Sequence, residues 1–535
     1  MTYYFYLFEV HSIQSYILSS GKLKDMVGAS ELLESLLQKP LDHALSVLDY
    51  KEGLKSDGDY DFSRRGSSAF SLLFTDKEKA IALRDLWGLI IAGIAPGLSF
   101  GQSISDGAES PNAAYKQAAA TLRTLRLYRT PELPVAGPLV RRSPRTGKPS
   151  VSLDKKQDSP EWIDLATQKK RQFSSAPELE DKFDPDKQSG CRFPSNTDTE
   201  FPVDTTRYVG ILHADGNALG NITSQLADEL SNKTAADFTE TFKTFSEKIN
   251  LATTEAAQLA LAPIIHKTKE NTDLEKPFLP FRPLVLGGDD LTAIIGGEFA
   301  FDFTRDFLEF FEQKTKEHLA ELQEYDAIPE QLTACAGLAF IKINQPFRMG
   351  YRLAESLTLE AKQQSKALVE GSQQLTPSSM VFHRVSTSMI EDYSVALPRE
   401  LTAWDGDDAY QLTLGAYGVG GHATQLPALD DLLAMKQLFR DETMSRGPMR
   451  HFTTLLHESI PEARKSYARW QENMQKLYVA DDPESPLASY NELTDRLLGS
   501  KLHECLPFVE SSTGQYRSFL GDMSTWMAVE GENND

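Results

Sequence analysis

The sequence of 535 residues is ordinary in composition, with 40% hydrophobic and 25% charged residues, but it is acidic, with a formal net charge of −22 at pH 7. Its length predicts three or four domains with enough apolar residues to fill their cores, and its composition excludes wholesale disorder. The acidic balance argues against broad, non-specific adhesion to nucleic acid, although it is compatible with a local basic groove.

No sequence feature predicts secretion or insertion into a membrane. The N-terminal segment lacks a basic region and reaches an acid at Glu9, and no apolar run approaches the ~20 residues that span a bilayer. Cys191, Cys335 and Cys505 lie far apart and form no Cys-x-x-Cys pair. We therefore expect a cytoplasmic protein without disulfides, zinc or membrane contact.

The first unit, residues 1–130, shows the order strand, helix, hairpin, helix and strand. Its predicted elements are a strand at 3–10, a helical stretch at 12–37 that bends near Gly21, a strand at 69–74, a helix at 77–91 and a strand at 98–104. The hairpin turn is Arg65-Gly66-Ser67-Ser68.

Residues 131–205 are rich in Pro, Ser and charge, which predicts a linker or a small insert without zinc ligands. Basic residues occur at 141–156 and again at Lys169-Lys170-Arg171. A solvated linker is the more common explanation of such residues, and contact with RNA or a partner subunit is the alternative.

The second unit, residues 206–395, repeats the order of the first. Its predicted elements are a strand at 208–215, a long helix with Phe238, Phe242, Phe245 and Ile249 on one face, hairpin strands at 283–286 and 291–295, a helix at 301–323 and a strand at 332–343. This β-α-β-β-α-β order describes a ferredoxin-like sheet with helices on one face, the palm shape.

Residues 396–535 predict a C-terminal helical bundle, with helices at 427–439, 461–475 and 492–506, and a frayed acidic tail at 529–535. The expected fold is therefore α+β, with two ferredoxin-like palm domains followed by a helical bundle.

An acidic cluster is predicted where the first strand of the second unit ends beside its hairpin turn, Gly287-Gly288-Asp289-Asp290. These two points are neighbours in a ferredoxin-like sheet, so Asp215 should converge with Asp289 and Asp290. Mg²⁺ binds a few carboxylates together with water and phosphate oxygens, and two such ions can bind the attacking and leaving oxygens of a nucleotidyl transfer. Glycines permit a tight turn and the close approach of phosphate. The pattern predicts a metal-dependent nucleotide polymerase or cyclase site.

Each motif has a simpler interpretation when taken alone. Gly-Gly-Asp-Asp is equally typical of a surface hairpin turn, and Asp215-Gly216-Asn217 of a strand-ending turn. Their occurrence together, each at the right end of the right strand, favours a site. Arg348, Arg352, Lys362 and Lys366 lie on a helix predicted at 347–366. Such lysines suit binding of a triphosphate, but a solvated face is at least as good an explanation of Lys366 as of Lys362.

With these elements assembled, the chain resembles the large, polymerase-like subunit of type III CRISPR effector complexes, a family with two palm domains that makes cyclic oligoadenylate. The resemblance rests on residues 9–17 and 22–33 of the opening strand and helix, on Ala214-Asp215-Gly216-Asn217-Ala218-Leu219-Gly220, on the hairpin at 287–290, and on Leu353-Ala354-Glu355 leading to Ala361-Lys362. Together these motifs span most of residues 1–366.

The resemblance implies attack of one ATP 3′-hydroxyl on the α-phosphate of a second ATP, with release of pyrophosphate. Two Mg²⁺ or Mn²⁺ ions would be held by Asp215, Asp289 and Asp290. Nucleotides would be bound by Gly216, Asn217, Gly287, Gly288 and Lys362 in the second palm and by Ser67 and Ser68 in the first. Other type III effector subunits, with crRNA and target RNA, would be partners. The ring size of the product and whether it is cyclic are left open.

Three departures from the family pattern limit what is carried over. No His-Asp dipeptide occurs and the first palm strand begins at residue 3, so we expect neither the family's N-terminal HD nuclease domain nor DNA cleavage. The first hairpin, Gly66-Ser67-Ser68-Ala69, has no acid opposite Glu9, so this palm is expected to bind nucleotide or only to support the fold. Residues 140–149 are similar to the family's zinc finger but contain no cysteine, which predicts no zinc.

Two other functions stay open at this point. A catalytically silent scaffold subunit is the first, although neighbouring carboxylates such as Asp289 and Asp290 repel each other without a cation and have no purpose in an idle site. A diguanylate-cyclase-like enzyme using GTP is the second. It is disfavoured by Asp290-Leu291, where that family has Glu-Phe, and by the paired palms.

Overall fold

A computed structural model of the chain describes residues 1–66, 68–126, 137–155, 160–272, 274–372, 374–387, 389–421, 425–440, 446–477, 485–499, 506–511 and 514–530. The fold is α+β, with two palm domains followed by a C-terminal region. Short 3₁₀ turns occur at Leu54–Ser56, Pro185–Lys187, Leu230–Asn232 and Ala320–Leu322. None of the described helices is both long and apolar enough to cross a membrane.

The first palm is a four-stranded antiparallel sheet with the predicted helices around it. Its elements are β1 (Tyr4–His11), α1 (Ile13–Ile17), α2 (Leu23–Leu36), α3 (Lys39–Val47), β2 (Tyr60–Arg65), β3 (Ala69–Phe74), α4 (Lys77–Ile94), β4 (Ser99–Ile104) and α5 (Pro111–Leu125). The strand order β2-β3-β1-β4 is ferredoxin-like. Alternate residues of β1 face opposite sides, so Phe8 packs on Trp87 of α4 whereas Phe5 contacts Tyr115 of α5.

The segment between the palms contains a folded insert. Its elements are β5 (Ser150–Asp154), β6 (Glu161–Asp164), α6 (Leu165–Phe173) and α7 (Glu178–Phe183). Lys170 is only 1% exposed, and its ammonium group donates to the carbonyl of Tyr16. Arg171 forms a buried ion pair of 2.6 Å with Asp25 of α2. The interpretation of Lys170 and Arg171 as solvated or RNA-binding residues is therefore wrong, because they attach the insert to the first palm.

The second palm has the same strand order as the first within a larger sheet. Its elements are β7 (Tyr208–Gly216), α8 (Leu219–Glu229), α9 (Ala235–Glu270), β8 (Phe281–Gly287), β9 (Asp290–Gly296), α10 (Gly297–Leu319), β10 (Ala334–Lys342), α11 (Phe347–Leu368) and β11 (Ser379–Arg384). The sequence did not predict β11, which pairs in parallel with β10 and enlarges the sheet.

Helices cover both faces of this second sheet. Leu212 and Ala214 of β7 lie in the core shared with α9 and α10, which are the two helices predicted for the second unit. Val209 and Ile211 face the other way and pack with Leu357 of α11. Because Asp215 alternates with Ala214, it lies on the same face as α11.

The C-terminal region combines helices with a small sheet. Its elements are α12 (Tyr393–Glu400), β12 (Thr402–Asp405), β13 (Asp408–Gln411), β14 (Tyr417–Gly418), α13 (Leu429–Arg440), α14 (Arg446–Glu458), α15 (Ile460–Leu477), α16 (Pro486–Leu498), β15 (Val509–Glu510), β16 (Tyr516–Arg517) and α17 (Leu520–Val529). The sheet β12-β13-β16-β15 was not predicted, because strands of two to four residues show no periodicity.

Two further expectations for this region need correction. The helix expected at 492–506 begins earlier and ends at Leu498. The frayed tail expected at 529–535 does not begin at Val529, which is fully buried and whose carbonyl accepts a hydrogen bond of 3.0 Å from Thr206. Residues 531–535 lie outside the described part of the chain.

The two palms pack against each other through their long helices. α9 lies along β2 of the first palm, where the ring centroid of Phe238 is 5.8 Å from that of Phe5 and Phe242 is 5.4 Å from Tyr115. Conversely, α2 of the first palm contacts β8 of the second. Each palm thus places its first long helix against an edge strand of the other, an arrangement close to twofold symmetry.

Candidate active site

The hairpin turn at residues 287–290 is short and firmly held. β8 and β9 pair as far as Gly287 and Asp290, which leaves two residues between the paired ends. Gly288 has a φ of +64°, a conformation that residues with a side chain rarely adopt. Thr253 of α9 donates a hydrogen bond of 2.6 Å to the Gly288 carbonyl, and the Gly288 N–H donates to Asn250 at 3.4 Å. Both contacts fix the turn on its own palm.

The structure brings together the three acids that the sequence selected. Ala214 of β7 pairs with Leu291 of β9, so the next step in register places Asp215 opposite Asp290. Asp289 lies across Gly216: a Cβ at Gly216 would be 2.7 Å from the Cβ of Asp289. A side chain at position 216 would therefore displace Asp289.

Burial and the neighbouring carboxylates raise the pKa values of Asp289 and Asp290. Burial and the charge of Asp215 raise the pKa of Asp289 to about 6. Burial also raises the pKa of Asp290 well above its ordinary value, with contributions from Asp215 and Asp289, while the charge of Lys362 opposes both shifts. A divalent cation would relieve the repulsion, so the donor set suits one.

The acids do not form a complete protein cage for a metal ion. Within the described residues, no three His, Cys, Asp or Glu side chains are placed to hold a metal ion by themselves. Mg²⁺ commonly takes one or two carboxylates and completes its shell with water and phosphate oxygens. The arrangement fits an ion of that kind.

Lys362 of α11 contacts the acids directly. Its ammonium group forms an ion pair with Asp215 and donates a hydrogen bond of 2.8 Å to the Gly216 carbonyl. Arg348, Arg352 and Lys366, the other cations noted on this helix, are exposed. Of these four described side chains, Lys362 is the one that the fold places against the acidic strand end.

Asn217 serves as an anchor for the loop after β7. Its backbone N–H donates to the Thr333 carbonyl at 2.8 Å, and its side-chain amide donates to the Thr333 hydroxyl at 3.0 Å. The contact with nucleotide predicted for Asn217 stays a prediction.

Sequence reasoning missed two polar side chains near the acids. His213, two residues before Asp215, hydrogen-bonds Thr292 at 3.2 Å, and burial lowers its pKa to about 4, so it is neutral at pH 7. The buried Tyr351 hydroxyl has no hydrogen-bond partner within the described chain, and its ring lies 5.4 Å from that of His213. The period of two along β7, which places His213 on the same face as Asp215, was the only sequence signal for His213, and Tyr351 on α11 gave none.

The first palm carries a counterpart of part of this site. Glu9 pairs in register with Ala69, and the register of β7 with β9, continued by one residue, places Asp215 opposite Asp290 in the same way. Glu9 forms an ion pair with Arg126 and hydrogen-bonds His11 at 2.7 Å. Although burial raises the pKa of Glu9, these two partners hold it below its ordinary value.

The cations of the two palms occupy equivalent places. Arg126 is the sixteenth residue counted from the start of α5, and Lys362 is the sixteenth counted from the start of α11. The predicted nucleotide-binding residue Ser68 accepts a hydrogen bond of 2.8 Å from the Val10 N–H through its carbonyl. Ser67 lies outside the described residues.

Part of the chain is similar to a known protein family. Residues 208–369 match the family model for the second palm domain of Cas10/Cmr2. This segment is therefore similar to the second palm of Cas10/Cmr2 proteins. The resemblance to the large subunit of type III CRISPR complexes is thereby confirmed for this domain, which contains Asp215, the hairpin and Lys362.

Solved structures of such subunits are similar to the chain at low identity. The crystal structure of a Csm1–Csm4 cassette in complex with cA4 shares 12% identity over 93% of this chain and 70% of that chain, with a TM-score of 0.47. Csm1 of T. onnurineus shares 14% over 99% and 70%, with a TM-score of 0.46. A cryo-EM structure of type III-B Cmr-beta in the apo state shares 9% over 88% and 77%, with a TM-score of 0.45. No curated protein matches the sequence.

Proposed function

We propose that the second palm is a nucleotidyltransferase that joins ATP molecules into a cyclic oligoadenylate or a related adenylate second messenger in type III CRISPR defence. The observation that carries the proposal is the convergence of Asp215, Asp289 and Asp290 beside a glycine turn, in a domain of the Cas10/Cmr2 second-palm type. Asp289 and Asp290, whose pKa values are raised by burial and by the charge of Asp215, form a costly arrangement that a cation would stabilise.

Mg²⁺ or Mn²⁺ is the cofactor that this donor set suits, and Asp215, Asp289 and Asp290 would hold it. Bound there, the metal supplies charge neutralisation at the phosphates and lowers the pKa of the attacking 3′-hydroxyl. No zinc site enters the proposal.

The chain's own groups then orient the nucleotides. The Gly287-Gly288 backbone lets phosphate approach the turn, and the Lys362 ammonium, now paired with Asp215, is available as a point charge for the triphosphate. The acceptor nucleotide lies against the first palm, near Ser67 and Ser68. Its 3′-hydroxyl attacks the α-phosphate of the donor, and pyrophosphate leaves.

We also propose that the chain acts with other type III effector subunits that carry crRNA and target RNA. Support comes from the domain type of residues 208–369. Binding of target RNA elsewhere in such a complex would gate the reaction.

The test of this function is incubation of the full chain with each labelled nucleoside triphosphate and Mg²⁺ or Mn²⁺, with and without candidate partners and RNA. We expect ATP-dependent release of pyrophosphate that falls about 10³-fold in Asp289→Ala/Asp290→Ala. Asp405→Ala/Asp407→Ala, at the exposed end of β12 and in the turn that follows it, is the matched control and should keep full activity. Equal activity of the wild type and the first variant would show that the site is wrongly assigned.

A further inference from the structure

The insert provides a second attachment for the catalytic hairpin. α7 contacts both α2 of the first palm and β8 of the second. Lys182, on α7, forms an ion pair of 2.6 Å with Glu34 of α2 and donates a hydrogen bond of 3.1 Å to the backbone carbonyl of Leu286. Leu286 directly precedes Gly287, so one ammonium group connects the first palm to the start of the catalytic turn.

A buried charge cluster holds α7 in this place. Arg282 of β8 is fully buried, forms an ion pair with Glu180 of α7, and lies 3.7 Å from Glu31, a fully buried residue of α2. Glu31 also accepts a hydrogen bond of 2.8 Å from the Leu179 N–H. Because a buried charge that loses its partner is strongly destabilising, these contacts fix α7 on β8.

α9 completes the attachment from the second palm. Gln258 of α9 donates a hydrogen bond of 2.7 Å to the carbonyl of Lys182, and Thr253 and Asn250 of the same helix hold Gly288. The turn is therefore held from within its own palm at Gly288 and from the insert at Leu286. The contact at Leu286 links the turn through Lys182 to α2 of the first palm.

We infer that Lys182 is a positioning residue that keeps the catalytic hairpin in place relative to the first palm. The inference rests on the proposed function, because hairpin position affects turnover only where Asp289 and Asp290 take part in the reaction. Small displacements of catalytic groups reduce turnover sharply, because the chemical step needs the reacting atoms to be positioned more precisely than substrate binding does. Loss of Lys182 should therefore lower kcat and leave KM nearly unchanged.

The experiment compares Lys182→Met, Lys182→Arg and Lys187→Met in the full chain. Lys187 is the matched control, an exposed lysine of the same insert five residues further along. Hydrogen exchange is followed in peptides covering residues 286–291, and steady-state kinetics are measured with ATP and Mg²⁺. In Lys182→Met we expect hairpin exchange to rise about tenfold and kcat to fall about tenfold, with KM within about twofold. Lys182→Arg should restore most of both values, and Lys187→Met should match the wild type.

Unchanged hairpin exchange in Lys182→Met overturns the inference, whatever the activity. Should that variant unfold, Glu34→Gln removes the same ion pair with little change of shape, and unchanged hairpin exchange there overturns the inference equally. A wild type that releases no pyrophosphate defeats the proposed function, whereas faster hairpin exchange in Lys182→Met still supports the positioning role.

Discussion

The two palms have the same strand order, and in each of them the acid at the end of the first strand forms an ion pair. They differ in the other charged groups around that acid. Glu9 is paired with Arg126 in the first palm, and Asp215 is paired with Lys362 in the second. Around Glu9 the remaining partner is His11, and the facing turn has no acid. Around Asp215 the facing turn adds two carboxylates.

The difference teaches that charge balance, rather than backbone shape, separates the two palms. In the first palm, burial raises the pKa of Glu9, but Arg126 and His11 lower it below its ordinary value. In the second palm, burial and mutual repulsion raise the pKa values of Asp289 and Asp290, which leaves a deficit of positive charge. Substitutions that remove these acids, or that give the first palm the acids of the second, therefore test the comparison.

The largest expected effect comes from neutralising each strand-end acid in turn. Asp215→Asn should lower the rate of pyrophosphate release about 10³-fold, because it removes a proposed metal ligand, whereas Glu9→Gln should lower it at most about tenfold. Measurement of kcat for both variants under the same conditions checks the prediction. Similar losses in the two variants would mean that the palms contribute equally to the chemistry.

A smaller effect is expected from giving the first palm the acids of the second. Ser68→Asp/Ala69→Asp should add about 1 °C to the rise in Tm that Mg²⁺ produces, and more when Arg126→Ala also frees Glu9. Thermal unfolding with and without Mg²⁺ measures this rise. If Mg²⁺ affects the grafted and wild-type chains identically, position 69 is not the counterpart of Asp290.

A change of similar size, set by pH rather than by a metal, concerns Glu31, at the junction between the palms. Burial raises its pKa from 4.5 to about 8; Leu179 N–H and Arg282 lower it, and the charges of Glu180 and Glu178 raise it. Between these two pKa values the folded chain keeps a proton that the unfolded chain has lost. The group's contribution to stability is therefore complete below pH 4.5 and is lost as the pH rises through about 8.

Replacing this carboxyl should flatten the pH dependence of unfolding. We expect Tm to fall between about pH 6 and pH 8.5 by about 2 °C less in Glu31→Gln than in the wild type. Glu472→Gln, an exposed glutamate of α15, serves as the control and should follow the wild type. Parallel curves for wild type and Glu31→Gln would show that Glu31 is ionised at neutral pH in the folded chain.

Much of the fold was predictable because both palms have the same order of strands and helices, and because hydrophobic residues recur in these elements with clear periods. The hairpin at 287–290, with apolar strands on both sides, and the helix after β10 were predicted from local sequence, and the strand order followed from the ferredoxin-like arrangement. The convergence of Asp215 with Asp289 and Asp290 followed from that strand order alone. In long, strongly periodic segments, the local sequence is enough to predict the type of secondary structure.

The parts that were missed depend on tertiary contacts. Lys170 and Arg171 look like solvated residues in sequence, yet they are buried because Tyr16 and Asp25 of a distant segment supply their partners. Lys182 gives no signal either, since its role comes from a backbone carbonyl at Leu286. Backbone acceptors are present at every position, so sequence cannot show which of them will be used.

The packing of α9 along β2 has a consequence for the stability of both palms. β2 is an edge strand of the first sheet, and an uncovered edge presents free backbone groups that recruit other chains. α9 shields that edge, while the first palm shields the aromatic side of α9 at Phe238 and Phe242. Each palm thus covers a surface of its neighbour that would otherwise be open to association, so the first palm supports the second independently of any chemistry of its own.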